Sequence, residues 1–149
     1  VQGDLLAGLR QQPDNCFGAI FLFDVIEHLT KPEILALLEC VVRKLRPGGL
    51  FICHCPNGDS PLVGNILAGD YTHETLLNAS SAGNLCALFG LEAFEAREHL
   101  GASAGLKGRL RGLAWRGVRL GLKLVNLVET GATGSGVFTR QFCFKARKP

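Results

Sequence analysis

The chain has 149 residues, of which 47% are hydrophobic and 19% charged, and its formal net charge is +3. This composition is typical of a globular domain and excludes disorder over most of the length. No run reaches the roughly 18 consecutive apolar residues that a transmembrane helix needs. The six cysteines form no CxxC pair, which favours buried free thiols in a reducing, cytoplasmic location over disulfides or zinc.

The first recognisable elements form a strand, helix and strand. Residues 17–23 are a short apolar run typical of a buried parallel strand. Apolar residues then recur at three- and four-residue spacing from about 33 to 45, which predicts a helix that Pro47-Gly48-Gly49 stops. A second strand is predicted at 50–55. Such βαβ units are right-handed in nearly all known sheets.

The rest of the chain contains further predicted elements around a long loop. Residues 56–75 are predicted to be a loop, and loops of this length are usually functional or mobile. A helix at 79–89 and a strand at 91–97 follow. The run 137–146 alternates well enough for a final strand, whose charged residues suit a sheet edge or a chain terminus.

One segment makes the protein basic. Residues 106–128 contain six basic residues and no acidic one, and the remainder sums to −3. If the segment is one helix, five apolar side chains share a face: Leu106, Leu110, Leu113, Leu124 and Val128. Its glycines each cost up to about 1 kcal/mol relative to Ala, so two short helices are the alternative. The glycine-rich residues 131–136 are predicted to be a hinge.

Three roles are open for this segment. A helical lid that packs on the sheet and keeps its cations in water is favoured. A helix on an anionic membrane surface comes second, because such helices pair a basic face with an apolar face that Trp115 and the leucines would supply. Nucleic-acid binding is disfavoured, because Trp115 is the only aromatic residue among the charges.

The stretch 17–57 resembles the central block of the class I S-adenosylmethionine-dependent methyltransferases. In that family the fourth strand ends in an acidic residue, often followed by a Glu-His pair. A helix then leads to an R-x-L-(K/R)-P-G-G run, and the fifth strand ends in a Pro-Asn loop. The corresponding residues here are Asp24, Glu27-His28, Arg43 to Gly49, and Pro56-Asn57.

The resemblance implies an α/β fold, namely a Rossmann-like, mostly parallel sheet with flanking helices. It would be an incomplete seven-stranded methyltransferase fold in a single domain, residues 1–149, with a basic helical insertion at 104–130 before the last strand. The sequence shows neither the family's Gly-rich turn after the first strand nor the acidic residue after the second. The N-terminal cofactor-loop portion is therefore expected to be missing, and the chain alone to bind the cofactor poorly or not at all.

The implied cofactor is S-adenosylmethionine. Open α/β sheets bind ligands outside the carboxyl ends of their strands, so residues 24–28 and 56–74 should converge on one crevice. Gly3-Asp4-Leu5 looks like the family's position after the third strand, which usually receives the adenine. The resemblance therefore implies cofactor-binding roles for Asp4, Leu5 and Asp24.

Methyl transfer from a sulfonium requires a positioned acceptor and, for an oxygen or nitrogen acceptor, often removal of a proton. His28, beside Glu27, is the first candidate for this work, because histidine titrates near neutral pH. The alternative is that this pair caps the following helix. His73, in the loop expected to cover the acceptor, is the other catalytic candidate, against a turn-stabilising role. His54 and His99 are expected to be structural.

The string Asp24-Val25-Ile26-Glu27-His28 also looks similar to the acid-x-x-Glu-His cluster that binds Mg²⁺ in ubiquinone-pathway and small-RNA O-methyltransferases. Oxygen-rich ligands suit such a cation. A metal-free site is nevertheless expected, because many relatives with this string are not known to use a metal.

The predicted function is S-adenosylmethionine-dependent methyl transfer to a small or lipid-linked acceptor. An oxygen of that acceptor is favoured over a nitrogen as the methylated atom. The rival is a catalytically inactive methyltransferase-like module that contacts a membrane surface or a partner protein. A dehydrogenase-type fold is disfavoured, because Glu27-His28 and the Pro-Gly-Gly run fit methyltransferases better.

Overall fold

The computed structural model describes residues 4–101 and 105–149. Gly3 of the predicted adenine motif and residue 104 of the predicted insertion lie outside these ranges. The helices are α1 (Leu5–Arg10), α2 (Lys31–Lys44), α3 (Gly64–Leu67), α4 (Ala79–Leu88) and α5 (Gly105–Thr130). The strands are β1 (Phe17–Phe23), β2 (Leu45–Pro56), β3 (Glu92–Glu98) and β4 (Gln141–Arg147), and a single 3₁₀ turn spans Ile26–His28.

The four strands form one sheet in the order β1-β2-β4-β3. β1 and β2 are parallel, whereas β4 is antiparallel to both β2 and β3. β1, β2 and β3 therefore run in one direction, which confirms the predicted mostly parallel α/β sheet with flanking helices. Of the two settings expected for the charged residues of the last strand, a sheet edge or a chain terminus, the sheet edge is wrong, because β4 lies between two other strands. Its buried residues Phe142, Phe144 and Ala146 alternate along the strand and face the core.

Helix α2 connects β1 to β2 and packs its apolar face on the sheet. It begins where the carboxylate of Glu33 accepts hydrogen bonds from the amide and hydroxyl of Thr30, at 2.8 and 2.6 Å, an arrangement that stabilises helix N-termini. Ile34, Leu37, Leu38 and Val41 are at most 2% exposed. Full burial of each such side chain contributes about 1.5–3 kcal/mol, so α2 is held mainly by this face.

The structure ends α2 earlier than the sequence predicts. The helix stops at Lys44, and β2 begins at Leu45, so Pro47-Gly48-Gly49 lies within the strand. The pairing register with β1 shifts between Phe17 and Ala19, which leaves the Pro-Gly-Gly run bulged out of that pairing. Gly48 adopts φ +76°, a conformation that glycine takes at no steric cost.

The basic segment forms one continuous helix, α5, rather than two, and none of its residues is buried. Among the described residues, no helix is both long enough and apolar enough to cross a membrane. The described thiols are all free: four are buried, Cys143 is half-buried, and Cys16 is exposed, contrary to the expectation of burial for all six.

Candidate functional site at the carboxyl edge of the sheet

Topology brings four chain segments to one edge of the sheet. Asp24 follows β1, His54 lies near the end of β2, His99 follows β3, and Gln141 begins the antiparallel β4. Asp24 adopts φ +51°, and its Oδ1 accepts hydrogen bonds from His54 Nδ1 at 2.9 Å and Gln141 Nε2 at 3.3 Å. Because a carboxylate only accepts, the first contact requires the proton of His54 to be on Nδ1.

The loop after α3 is attached to the 3₁₀ turn at this edge. The amides of Glu74 and Thr75 both donate to the carbonyl of Glu27, at 2.8 and 3.0 Å. The hydroxyl of Thr75 donates to the carbonyl of Leu29 at 2.7 Å. These bonds fix residues 70–75 beside the 3₁₀ turn, so His28 and His73 come within contact range, with ring centroids 4.9 Å apart.

A hydrogen-bond chain fixes the orientation of His28. Its Nδ1 lies 2.8 Å from the hydroxyl and 3.3 Å from the carbonyl of Thr72. That hydroxyl donates its one proton to Asp70 Oδ1 at 2.7 Å, so towards His28 it can only accept, as the carbonyl does. Nδ1 must therefore carry the proton of the neutral imidazole, which leaves Nε2 as the basic nitrogen. The hydroxyl and amide of Thr72 hold the pKa of Asp70 below its ordinary value, and His73 and His28 contribute when they are protonated.

Glu27 and His73 lie beneath the surface beside His28. Glu27 is 3% exposed, and the side chain of His73 is 6% exposed. In the described part of the chain, Glu27 Oε2 and His73 Nδ1 have no hydrogen-bond partner. Burial raises the pKa of Glu27, a backbone amide opposes this effect, and the negative charge of Asp24 adds to it. The helix-capping alternative is wrong for this pair, since Thr30 and Glu33 cap α2.

Within the described ranges, two groups of side chains have the composition and spacing to hold a cation. The ligand atoms of Glu27, His28 and His73 all lie within 4.8 Å of one another. Among the described residues Asp24 is not a member of this group, so the predicted acid-x-x-Glu-His set is not assembled as one cluster. The second group is His54, His99 and Cys143, and His54 and His99 stack edge to face. The expectation of a metal-free site stays a prediction.

Asp4 and Leu5 lie at the start of α1. Asp4 Oδ1 accepts the amide of Ala7 at 2.6 Å and thereby caps this helix, while Leu5 remains 41% exposed. Helix α1 packs against α2. Among the described hydrogen bonds, none joins Asp24 to Asp4 or Leu5.

A cavity of about 680 Å³ lies between α5 and the carboxyl edge. Its apolar walls are Leu62, Leu100, Trp115, Val118 and Phe138, and its polar walls include Arg111, Arg140 and Gln141. Gln141 also donates to Asp24, so the cavity adjoins the cluster described above.

Trp115 lies on the inner face of α5. Its Nε1 donates to Glu98 Oε2 at 3.1 Å, and Arg119 Nη1 donates to the same oxygen at the same distance. The expectation that Trp115 joins the outer apolar face is therefore wrong, because its indole N–H takes a buried carboxylate as its partner.

The sequence did not reveal the residues that hold the predicted site residues in position. Thr72 and Asp70, which orient His28, and His54 and Gln141, which hold Asp24, come from three other parts of the chain. The only local signal was the Asp-x-Thr spacing of residues 70–72, which favours a side chain-to-backbone turn. Here Asp70 Oδ1 accepts the Thr72 amide at 2.9 Å.

Part of the sequence matches a known protein family. The sequence pattern of the methyltransferase domain family matches residues 1–53. No curated protein matches the chain.

Solved structures match over nearly the whole chain. A SAM-dependent methyltransferase from Archaeoglobus fulgidus is 13% identical, with a TM-score of 0.70 over 99% of this chain and 66% of that one. A possible histamine N-methyltransferase from Thermotoga maritima is 12% identical, with a TM-score of 0.60 over 93% of this chain and 59% of that one. Human N-acetylserotonin methyltransferase in complex with SAM is 15% identical, with a TM-score of 0.57 over 99% and 33%.

The chain thus spans less than two thirds of the length of the first of these structures and smaller shares of the other two. Over that length, it has the Rossmann-like fold of the SAM-dependent methyltransferases.

Proposed function

We propose that this protein is an S-adenosylmethionine-dependent methyltransferase that transfers a methyl group to an oxygen of a small or lipid-linked acceptor. The observation that carries the proposal is the series of hydrogen bonds that runs from Asp70 through Thr72 to His28, at the carboxyl edge of a methyltransferase-like sheet. It gives the histidine one tautomer, with Nε2 as the basic nitrogen. When bound, the cofactor supplies an electrophilic methyl group on a sulfonium.

His28 would remove the acceptor proton at Nε2. A hydroxyl is a poor nucleophile until it loses its proton, whereas a neutral amine already has a free electron pair, so a fixed base favours an oxygen acceptor. As the proton arrives, the imidazole becomes positive. The carbonyl of Thr72 and, through its hydroxyl, the carboxylate of Asp70 would stabilise that charge. A positioned base of this kind contributes about 10²–10⁴-fold to the rate.

Glu27 and His73 would act through His28 rather than on the acceptor, because both are buried beneath it. Burial raises the pKa of Glu27, and His28 and His73 oppose that effect when they are protonated. The charge of Glu27 would thus be coupled to the charges of the two histidines.

The cofactor-facing part of the proposal rests on Asp4, Leu5 and Asp24. Leu5 offers an exposed apolar side chain that suits an adenine ring, and Asp4 is held at a helix N-terminus beside it. Asp24 keeps a half-exposed carboxylate, although His54 and Gln141 occupy one of its oxygens. These residues fit one portion of a nucleoside cofactor. The remaining contacts would come from segments upstream.

The cavity beneath α5 supports the proposed acceptor class. Its volume lies within the range of small-molecule sites, and its walls combine apolar side chains with Arg111 and Arg140. An acceptor with an apolar body and an anionic group, such as a lipid-linked phosphate, would match these walls. The helix then serves as the lid that the sequence favours.

The alternative function is a catalytically inactive methyltransferase-like module that uses the same surfaces for a membrane or a partner protein. It shares the sheet and α5, and differs in making no use of the cofactor. Under either function we propose a cytoplasmic location, based on the free thiols.

Calorimetric titration of S-adenosylhomocysteine separates the two functions. We expect binding by a version of the protein extended upstream, and weak or no binding by residues 1–149 alone. In the extended version, Leu5→Ala should weaken binding. Its matched control is Leu35→Ala, since both leucines are 41% exposed and Leu35 lies on α2. Failure of the extended protein to bind would remove the catalytic proposal.

The role of His28 is tested by methyl transfer from labelled S-adenosylmethionine to hydroxyl-bearing acceptors. We expect His28→Gln in the extended protein to lower kcat about 10²–10⁴-fold and to remove the acid limb of the pH profile, with cofactor affinity unchanged. Asn84→Ala, at an exposed position of α4, is the control, because Asn84 lies outside both the cavity and the hydrogen bonds that orient His28. An unchanged pH profile in the His28 variant would contradict the assignment of the base.

A further inference from the structure

Helix α5 has two faces with different surroundings. The inner face contacts the protein through Trp115 and Arg119, which both bond to Glu98, a carboxylate only 10% exposed. This attachment fixes which side of the helix faces the sheet. On the opposite side, the described apolar side chains are each more than half exposed.

The outer face carries a continuous row of apolar side chains, which we call the leucine stripe. Its members follow spacings of three, four and seven residues, which place them on one side of a helix. They are Leu106, Leu110, Leu113, Leu120, Leu124 and Val128, exposed by 72, 58, 63, 61, 53 and 88% respectively. From first to last the stripe extends about 33 Å at 1.5 Å per residue. An exposed apolar surface of this length marks an interaction site.

Cations border the stripe along one side. Arg109, Arg116 and Lys123 are seven residues apart, so they form a row parallel to the leucines, and Lys107 lies on the other side. The helix contains one acidic residue, Glu129, in its last turn. A basic border around an apolar stripe complements an anionic lipid surface, in which acyl chains receive the leucines and headgroups receive the cations.

The same charges disfavour a second copy of the chain as the partner. Pairing two leucine stripes would bring rows of Arg109, Arg116 and Lys123 together, and no acidic residue between 105 and 128 could compensate. Helix pairs of this type are normally selected by opposite charges beside the apolar seam. Gly117, which takes the stripe position between Leu113 and Leu120, would also leave a gap in such a seam.

We propose that α5 lies flat on anionic membrane surfaces through its leucine stripe, with Arg109, Arg116 and Lys123 at the headgroups. The lid over the cavity would then be the membrane-facing part of the molecule, which places the cavity mouth near the bilayer. This surface would exist whether or not the protein transfers methyl groups.

Vesicle flotation tests the proposal with two kinds of vesicle, phosphatidylcholine alone and phosphatidylcholine mixed with phosphatidylglycerol. We expect binding to the mixed vesicles that weakens as salt is raised. Leu113→Ser and Leu120→Ser should each weaken binding at least about tenfold, and Arg109→Gln and Arg116→Gln about fivefold each. Arg119 is left unchanged, because it attaches the helix to Glu98.

Matched controls lie on other helices. Leu88→Ser removes a leucine that is 70% exposed on α4, and Arg10→Gln removes an exposed cation from α1; neither should change vesicle binding. Circular dichroism checks that each variant remains folded. Binding that is equal on neutral vesicles, or insensitive to the stripe variants, would overturn the proposal. So would sedimentation that reveals a dimer abolished by Leu113→Ser. Titration of S-adenosylhomocysteine into the same variants of the extended protein reports separately on the proposed enzyme.

Discussion

Asn57 provides a strong test of what holds the carboxyl edge together. It is fully buried, and its Nδ2 donates to the carbonyls of Val137 and Thr139, both at 2.9 Å, while its Oδ1 accepts the amide of Asp59 at 3.0 Å. Asn57→Ala removes all three bonds. The Ser135 hydroxyl lies 3.5 Å from the Val137 carbonyl but donates its one proton to Asp59 Oδ2 at 2.7 Å, so the Val137 carbonyl is left without a donor. The amide of half-buried Asp59 can bond to water. The buried Thr139 carbonyl loses the amide altogether.

A stranded buried polar group costs about 1–3 kcal/mol. With two buried carbonyls stranded, we expect Asn57→Ala to lower the free energy of unfolding by about 2–6 kcal/mol. This corresponds to a fall in Tm of roughly 4–24 °C. Urea unfolding followed by far-ultraviolet circular dichroism measures the loss. The control is Asn84→Ala, at an exposed position of α4, which should change stability by less than about 0.5 kcal/mol. A similarly small effect of Asn57→Ala would show that this bridge does not hold the edge.

Three further predictions concern titratable groups. Glu27→Gln should stabilise the protein at neutral pH, because the raised pKa of Glu27 makes the folded state lose stability as pH rises above the ordinary value of 4.5. In urea unfolding, the stability difference between the variant and the unmodified protein should vanish below that pH. A difference that stays constant with pH would refute the titration of Glu27 as its cause. Thr72→Val leaves His28 Nδ1 only the carbonyl contact at 3.3 Å, so nitrogen-15 NMR should show more Nε2 protonation, whereas an unchanged spectrum would mean that the carbonyl of residue 72, and not the hydroxyl, orients the ring. Native alkylation followed by mass spectrometry should modify exposed Cys16 well before Cys86, whose pKa burial raises to about 12; equal rates would contradict the burial.

The sequence was most informative where structure is local. The run 17–23 matches β1 residue for residue, and the periodic apolar positions of α2 and the start of α4 were also predicted correctly. The position of β4 was not, because strand order depends on pairing between distant segments, and the same alternating pattern suits an edge or an interior strand. The Pro-Gly-Gly run was misassigned to a turn, since the backbone hydrogen bonds of Gly48 and Gly49 to Lys148 are non-local.

The candidate site could be predicted only in part, for a related reason. Glu27 and His28 are neighbours in the chain, so a motif could reveal them, and the structure brings His73 beside them. Their supporting partners could not be found in this way. Thr72 meets His28 across 44 residues, and Gln141 meets Asp24 across 117. Such contacts follow from strand order and loop attachment, which a pattern of residue types does not encode.

The interior position of β4 has a consequence for how the protein is made. In the described part of the chain, β3 pairs with β4 alone, and β2 pairs with β4 along its second edge. Both edges therefore stay open on the ribosome until β4 has been synthesised. Open strand edges invite pairing with other chains. A premature stop just before β4 would thus leave two unpaired edges and yield an aggregation-prone product.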